Sequence, residues 1–238
     1  MSSISSTTKE KPTPTIENYL SKILEMERAH EEVVGLRLAE AMNVAAPTVS
    51  ATLRRMERDG WIKADARWGY RLTATGREAA SSILRRHMLA EWMLNELLDM
   101  PWSDVHAEAH QIEHTISDQV ETQLKKNLND PKFCPHGNPL PGNETEASIW
   151  IPMTEITPGT KIVIRRIHES AEDNKELLVF LEKNGILPGQ EAQVVEIIPI
   201  NQTIRLTLDD REIMLGYSIA RFIHVEIIQN PRTMEPSS

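Results

Sequence analysis

The sequence predicts a mainly α, multidomain protein. It has an N-terminal winged helix-turn-helix, a helical dimerisation and metal-binding domain, and a C-terminal small β-barrel of SH3-like type. Three observations predict this. Apolar residues recur at helical spacing through the first half of the chain. A basic island interrupts an acidic chain. Beyond a Pro/Gly/Asn-rich stretch near residue 140 the pattern changes to short alternating strands.

The 238 residues are 40% hydrophobic, enough for more than one core. The one cysteine, Cys134, excludes an internal disulfide and fits a reducing, cytoplasmic setting. No apolar run approaches the roughly 18 residues that span a bilayer, and the N-terminus lacks a signal-peptide core, so no membrane partner is expected. Residues 1–14 and 230–238 are polar and Pro-containing and read as a disordered arm and tail.

Thr15 is placed to cap a first helix in which Ile16, Tyr19, Leu20, Ile23 and Leu24 form an apolar stripe. A short amphipathic helix offers Leu36, Leu38, Ala39 and Met42 and ends near Asn43, which tolerates a left-handed cap. A third helix has Pro47 in its first turn, faces a core with Val49, Leu53 and Met56, and stops at Gly60. Trp61 to Ala64 and Tyr70 to Thr73 read as the strands of a wing. This order of elements, over residues 15–75, is that of a winged helix-turn-helix.

The formal charge of −9 at first argues against nucleic acid, but residues 46–77 carry seven Lys/Arg against three acids. The third helix turns small and hydroxylated residues outward: Pro47, Thr48, Ser50, Ala51 and Thr52. Arg54, Arg55 and Arg58 follow. Hydroxyls and backbone N–H groups at a helix N-terminus suit phosphate oxygens, and arginine adds charge or bidentate readout. Pro47, Thr48, Ser50, Thr52, Arg55 and Arg58 are the candidate contacts to double-stranded operator DNA. A solvated basic face is the bland alternative.

A long helix from about Thr73 to Leu98 presents Ile83, Leu84, Leu89, Trp92, Met93 and Leu97. After Met100-Pro101, Ser103 is placed to cap a helix SDVHAEAHQIEHTISDQV, and a further helix runs roughly from Asp118 to Leu128. These helices, within 76–142, exceed what a DNA reader needs and suggest dimerisation, which matches palindromic sites. On a continuous helix, His106, His110, Glu113 and His114 fall within an arc of roughly 100°. His87 and Glu91 repeat the i,i+4 spacing upstream. Imidazoles and a carboxylate on one face suit a first-row divalent metal, and a merely His-rich polar face is the alternative.

NDPKFCPHGNPLPGNETEAS reads as linker, with the boundary at 143–152. Residues 153–229 then hold a short helix (NKELLVFLEKNG) and five or so strands, including KIVIRRI, TIRLTL, REIML and HVEII, with a turn at Asp209-Asp210. Nothing there reads as catalytic. His30, His168 and His224 read as surface or strand residues, Cys134 as a turn residue, and the five tryptophans as core and wing packing.

The runs APTVSATLRRMERDGW, LTATGRE, RRHMLAEWML, DMPWSDVHAEAHQIEH and CPHGNPLPG resemble the diphtheria-toxin-repressor and iron-dependent-regulator family, which includes manganese transport regulators. The likeness covers about residues 15–142, with weaker motifs beyond. It implies a cytoplasmic homodimer that binds operator DNA when loaded with Fe(II) or Mn(II) and represses metal-uptake genes. It places His87, Glu91 and His106 at an ancillary metal site, and His110, Glu113 and His114 at the primary, DNA-activating site. Asn18 matches a further primary-site position. The family's iron members carry Met and Cys where this chain has Asn18 and His110, and its manganese members carry Asp and Glu. The resemblance also implies that the C-terminal domain can lend ligands, with Glu172 and Glu176 in the right region, and that Cys134 lies near an anion-binding spot.

Without thioether or thiolate, the remaining N/O donors favour Mn(II) over Fe(II), while Zn(II), Co(II) or Ni(II) can bind in vitro. No organic substrate and no enzymatic activity are expected. Two rivals remain. His110 to His114 also reads H-x-x-E-H, the inverted zinc-peptidase motif, with Glu113 as base. A winged-helix regulator of an organic ligand, with structural histidines, is the other.

Overall fold

The computed structural model describes residues 11–229, so residues 1–10 of the expected arm and the tail 230–238 lie outside it. Pro14, which was expected within the arm, already opens a helix, and the N-cap is Thr13 rather than Thr15. The described residues divide into two compact units, with the boundary between Leu84 and Arg85.

In the first unit α1 (Pro14–Arg28), α2 (Gly35–Ala41) and α3 (Ala46–Arg58) lead into an antiparallel wing of β1 (Ile62–Asp65) and β2 (Gly69–Leu72). The predicted stripe of α1 and Val49, Leu53 and Met56 of α3 are all buried. Asn43 takes the left-handed conformation after α2, with φ 50°. Leu36 departs from its expected core role: at 66% exposure it lies on the outer face, while Leu38 and Ala39 fill the inner one.

Glu27 of α1 fastens the wing. Its carboxylate accepts a hydrogen bond from the Leu72 backbone N–H at 3.0 Å, lies 3.4 Å from Arg71 and pairs with Arg77. Gly69 has φ +77°, and a Cβ there would lie 2.4 Å from the Val33 carbonyl oxygen. Only glycine fits both demands.

Helix α4 (Ala74–Trp92) follows the wing directly and continues as a π-helical turn, Met93–Leu97. The wider turn changes which side chains face inward. Leu94 is buried, and Leu97, expected inside, is 55% exposed.

The second unit contains α5 (Val105–Ile112), α6 (Asp118–Asn127) and the short α7 (Glu144–Ala147). Then come β3 (Ile151–Pro152), β4 (Lys161–Ile167), α8 (Lys175–Lys183), β5 (Glu191–Ile198), β6 (Thr203–Leu208), β7 (Arg211–Gly216), α9 (Tyr217–Ala220) and β8 (Ile223–Gln229). All strand pairings are antiparallel, in the order β3-β8-β4-β5-β6-β7. The expected barrel is therefore an open sheet. Its edge strand β3 has two residues and ends in proline, which donates no ladder bond. Asp209 and Asp210 turn the β6–β7 hairpin with φ 46° and 60°. Helix α8 adds Leu177, Leu178 and Leu181 to the core formed by Ile162, Ile164, Val194 and Leu206.

The stretch read as linker is in part interior: Cys134 to Leu140 are all buried. Cys134 N–H donates to the Asn138 carbonyl at 2.8 Å, and Ile167 N–H of β4 donates to the His136 carbonyl at 2.8 Å. A Cβ on Gly137 would lie 1.9 Å from the Arg165 carbonyl oxygen, which explains the glycine. Among the described residues no helix is long and apolar enough to cross a membrane.

Gly69→Ala is expected to destabilise the first unit by about 2 kcal/mol or more, through the left-handed backbone and the Val33 clash. Urea denaturation of the full chain checks this, and an unchanged midpoint would refute it.

Candidate metal centre

Three segments of the second unit converge. His87 and Glu91 lie one turn apart on α4, and His106 and His110 one turn apart on α5. The helix expected to carry all of His106 to His114 ends at Ile112, and Glu113–Thr115 form a 3₁₀ turn. Thr115 Oγ1 donates to the Ile112 carbonyl at 2.7 Å, and Ser117 starts α6 by accepting from Val120 N–H. The single 100° arc is thereby corrected: the tighter turn carries Glu113 inward, to 2% exposure. Ser103 is also not a cap. Its hydroxyl donates to Glu182 at 2.7 Å, and Glu182 also accepts from Trp102 N–H at 2.9 Å.

His87 is the hub. Its Nδ1 lies 2.6 Å from Glu113 Oε2, and its Nε2 lies 3.1 Å from Glu91 Oε1 and 3.0 Å from His106 Nδ1. Glu113 also reaches His110 Nδ1 and His114 Nε2, each at 3.4 Å. His106 Nδ1 contacts Glu91 at 3.0 Å and Glu172 at 3.2 Å, and its Nε2 lies 3.6 Å from Asp173. All six predicted metal residues thus form one network, joined through His87 and Glu113. The resemblance divided them into two sets of three.

Sequence reasoning passed over two members of this network, Cys134 and His136, and left Glu172 unaligned. His136 is fully buried; its Nε2 meets the Trp102 carbonyl at 3.2 Å. Its Nδ1 faces Glu91 Oε1 at 3.4 Å and Glu172 Oε1 at 3.5 Å. Against the ring's burial, these carboxylates raise His136 above the ordinary imidazole value, so without a metal Nδ1 carries a proton. His136 Nδ1 and Glu91 Oε2 are buried without a hydrogen-bond partner. Asn138 orients Glu172 by donating to its Oε1.

Donor atoms of Glu91, Cys134 and His136 lie within 4.8 Å of one another, as do those of Glu91, His106 and Glu172, and of His87, His106 and His110. Imidazole, carboxylate and thiol side chains, with two polar atoms buried and without a hydrogen-bond partner, fit a divalent transition metal. The one sequence signal was the Cys-x-His spacing in CPHGN, which the Pro/Gly-rich composition masked.

The charges are strongly coupled. Burial opposes the charged form of His87, but Glu91 beside it and hydrogen bonds to Glu113 and Glu91 outweigh this and raise it to about 9. Burial likewise opposes the charged form of Glu113, yet hydrogen bonds from His110 and His87 hold it down to about 2. Against its own burial, Glu91 is pushed well below the carboxylate range by His136 and His87. His106 rises well above the imidazole range despite burial, through Asp173 and Glu172. Burial, then Glu91 and Glu172, push the Cys134 thiol up. Without a metal, protons on imidazoles supply the positive charge that the carboxylates demand.

In the first unit, Pro47, Thr48, Ser50, Arg55 and Arg58 of α3 are exposed. Thr52 is half-buried and donates its hydroxyl to the Thr48 carbonyl at 3.0 Å, which leaves its methyl rather than its O–H for a partner. Arg58 pairs with Asp59 at 2.8 Å. Asn18 is exposed on α1.

Three family models match the chain. The iron dependent repressor N-terminal DNA binding domain covers residues 11–69, the iron dependent repressor metal binding and dimerisation domain residues 73–142, and the FeoA domain residues 151–227. The iron-dependent repressor IdeR of Mycobacterium leprae is 33% identical over 224 residues, covering 89% of this chain and 96% of that protein. The diphtheria toxin repressor of Corynebacterium diphtheriae is 32% identical over 221 residues, with coverages of 89% and 96%. Among solved structures, the manganese regulator SloR superposes with a TM-score of 0.72 at 29% identity, covering 91% of this chain and all of that one.

The charge pattern predicts a stability maximum near pH 6.5 for the metal-free protein. His87, raised to about 9, stabilises fully below its ordinary 6.5, and this is lost as pH rises through 9. His168 and His224, lowered to about 4 by burial and then Arg166, act oppositely: their stability is present above 6.5 and lost as pH falls towards 4. Urea midpoints of chelator-treated protein at pH 5, 6.5 and 9 should be highest at 6.5. A midpoint that rises from 6.5 to 9 would contradict the assignment of His87.

Proposed function

The chain belongs to the iron-dependent repressor family of metal-dependent, DNA-binding transcriptional repressors, and on that premise we propose that it is a Mn(II)-activated repressor of metal-uptake genes that binds a palindromic operator as a homodimer. The buried His/Glu network carries this reading. It leaves Glu91 Oε2 and His136 Nδ1 buried without a hydrogen-bond partner, in a chain whose α3 exposes hydroxyls and arginines.

In this reading His110, Glu113 and His114 hold the activating ion. His87, Glu91 and His106, extended by Glu172, Cys134 and His136, hold the ancillary one. A bound divalent ion supplies the positive charge that the buried carboxylates otherwise draw from protonated imidazoles. His87 gives up its proton to free a donor nitrogen, and His136 is already turned with Nδ1 inward by the Trp102 carbonyl. The N/O donors of the activating set favour Mn(II), with Fe(II) the closest competitor. The sulfur of Cys134 revises the expectation of a thiolate-free chain and gives the ancillary set a softer donor. Domain boundaries at 15–75, 76–142 and 153–229 fit this division of labour. Exposed Leu97 and Leu98, after the π-helical turn, offer apolar surface for a partner copy.

Metal occupancy would restrict the reading heads to the half-site spacing, so that metal and DNA strengthen each other reciprocally. The peptidase reading draws no support: its base, Glu113, is held by His87 at 2.6 Å and is 2% exposed.

The test is DNA binding to a fragment of the chain's own promoter region in chelator, then at buffered free Mn(II), anaerobic Fe(II) and Zn(II). Binding only with metal is expected, and equal binding in chelator would overturn the reading. Glu91→Gln and Cys134→Ser should each weaken ancillary metal binding by about tenfold or more, read by equilibrium dialysis. Unchanged stoichiometry and affinity in both variants would remove these residues from the site.

A further inference from the structure

Helix α8 carries a carboxylate whose two oxygens grip the chain ahead of α5. Glu182 Oε1 accepts the Trp102 backbone N–H at 2.9 Å, and its Oε2 accepts the Ser103 hydroxyl at 2.7 Å. Both of these residues are buried. Between the two donors along the chain lies the Trp102 carbonyl, the group that receives His136 Nε2 at 3.2 Å. Trp102 holds the same turn twice more. Its indole N–H donates to the Pro135 carbonyl at 2.9 Å, and its ring lies 4.4 Å from the His136 ring, centroid to centroid, inclined by 54°.

The His136 ring is fully buried. Turned over about its Cβ–Cγ bond, it would set one C–H against the Trp102 carbonyl and another against Glu91. The hydrogen bond lost in that turn opposes it only while the carbonyl stays in place. Glu182 removes the freedom of the main chain that bears this carbonyl. Outer partners that hold a donor imidazole in one orientation set its affinity for metal.

A second tie between the same elements provides the contrast. Lys175, at the start of α8, pairs with Asp104 at 2.9 Å, and its side chain is 68% exposed. It fastens α8 to the segment ahead of α5 as Glu182 does. It does so through a side chain, not through the main chain that holds His136.

We propose that Glu182 is a positioning residue of the metal centre, holding the Trp102 main chain so that its carbonyl keeps His136 turned with Nδ1 towards Glu91. This rests on the reading above in which Glu91, Cys134 and His136 bind metal. Ser103, whose hydroxyl completes the grip, shares the task.

The test uses the full chain with Co(II) as the probe, under anaerobic conditions. Cys134 is the one cysteine, so thiolate-to-Co(II) charge-transfer absorption reports this set of donors and no other. The Co(II) needed for half-saturation should rise about tenfold in Glu182→Ala, and less in Glu182→Gln, which keeps one acceptor oxygen. It should be unchanged in Lys175→Met. A second readout is nuclear magnetic resonance of metal-free protein carrying isotope-labelled histidine. The His136 Nε2–H signal, identified by its loss in His136→Gln, should be protected from exchange in the unaltered chain and in Lys175→Met. It should broaden or vanish in Glu182→Ala.

Glu182→Ala that titrates as the unaltered chain does would overturn the proposal. So would an equal loss in Lys175→Met, which would reduce Glu182 to a fastener of α8, or a His136 Nε2–H that stays protected without Glu182. An unaltered chain that develops no charge-transfer band would overturn the metal-binding reading of Cys134 and His136, and the proposal with it. Urea denaturation confirms that each variant is folded, and Glu182→Gln carries the test alone if Glu182→Ala is not.

Discussion

Glu91 and Glu113 are almost wholly removed from water, at 0% and 2% exposure. A buried carboxylate is tolerated only when positive charge stands beside it. That requirement organises the second unit. It draws His87, His106 and His136 around Glu91, and His87, His110 and His114 around Glu113. His87 serves both carboxylates, which makes the two sets of donors a single electrostatic body.

Much of the surrounding structure holds these donors in place. The chain leaves helical geometry at Ile112 so that Glu113 can turn inward. The buried turn around Gly137 presses so closely on Arg165 that no side chain fits, and it delivers Cys134 and His136. Trp102 is tied at three points: its backbone N–H to Glu182, its indole N–H to the Pro135 carbonyl, and its own carbonyl to His136. The sheet domain contributes Glu172, which Asn138 orients. Groups that hold donors in orientation matter to metal affinity nearly as much as the donors themselves.

The elements with strong periodicity were legible in the sequence. The stripe of α1, the inward residues of α3, the left-handed Asn43 and the strands β4 to β8 stand where spacing and turn chemistry put them. Local pattern could not give what long-range contacts decide. The helix break at Ile112 follows from the burial of Glu113 beside His87, 26 residues away. The stretch around CPHGN has the composition of a loop, and only its pairing with β4 makes it interior. Leu97 looked like core until the π-helical turn rotated it outward. The predicted barrel remained an open sheet because a strand of two residues ending in proline cannot close it. That His87, Glu91, His106, His110, Glu113 and His114 gather in one network was foreshadowed by histidine and glutamate at helical spacing, a pattern with few structural uses. Cys134 and His136 were not, because their partners lie on α4 and beside α8.

The central claim is that imidazole protons balance the buried carboxylates until a metal replaces them. Isothermal titration calorimetry of Mn(II) binding at pH 7.5, in buffers of different ionisation enthalpy, counts the protons released. The account predicts release of about one proton or more per protomer, with His87, raised to about 9, the leading donor. Binding with no dependence on the buffer would mean that the histidines were neutral beforehand, and would contradict it.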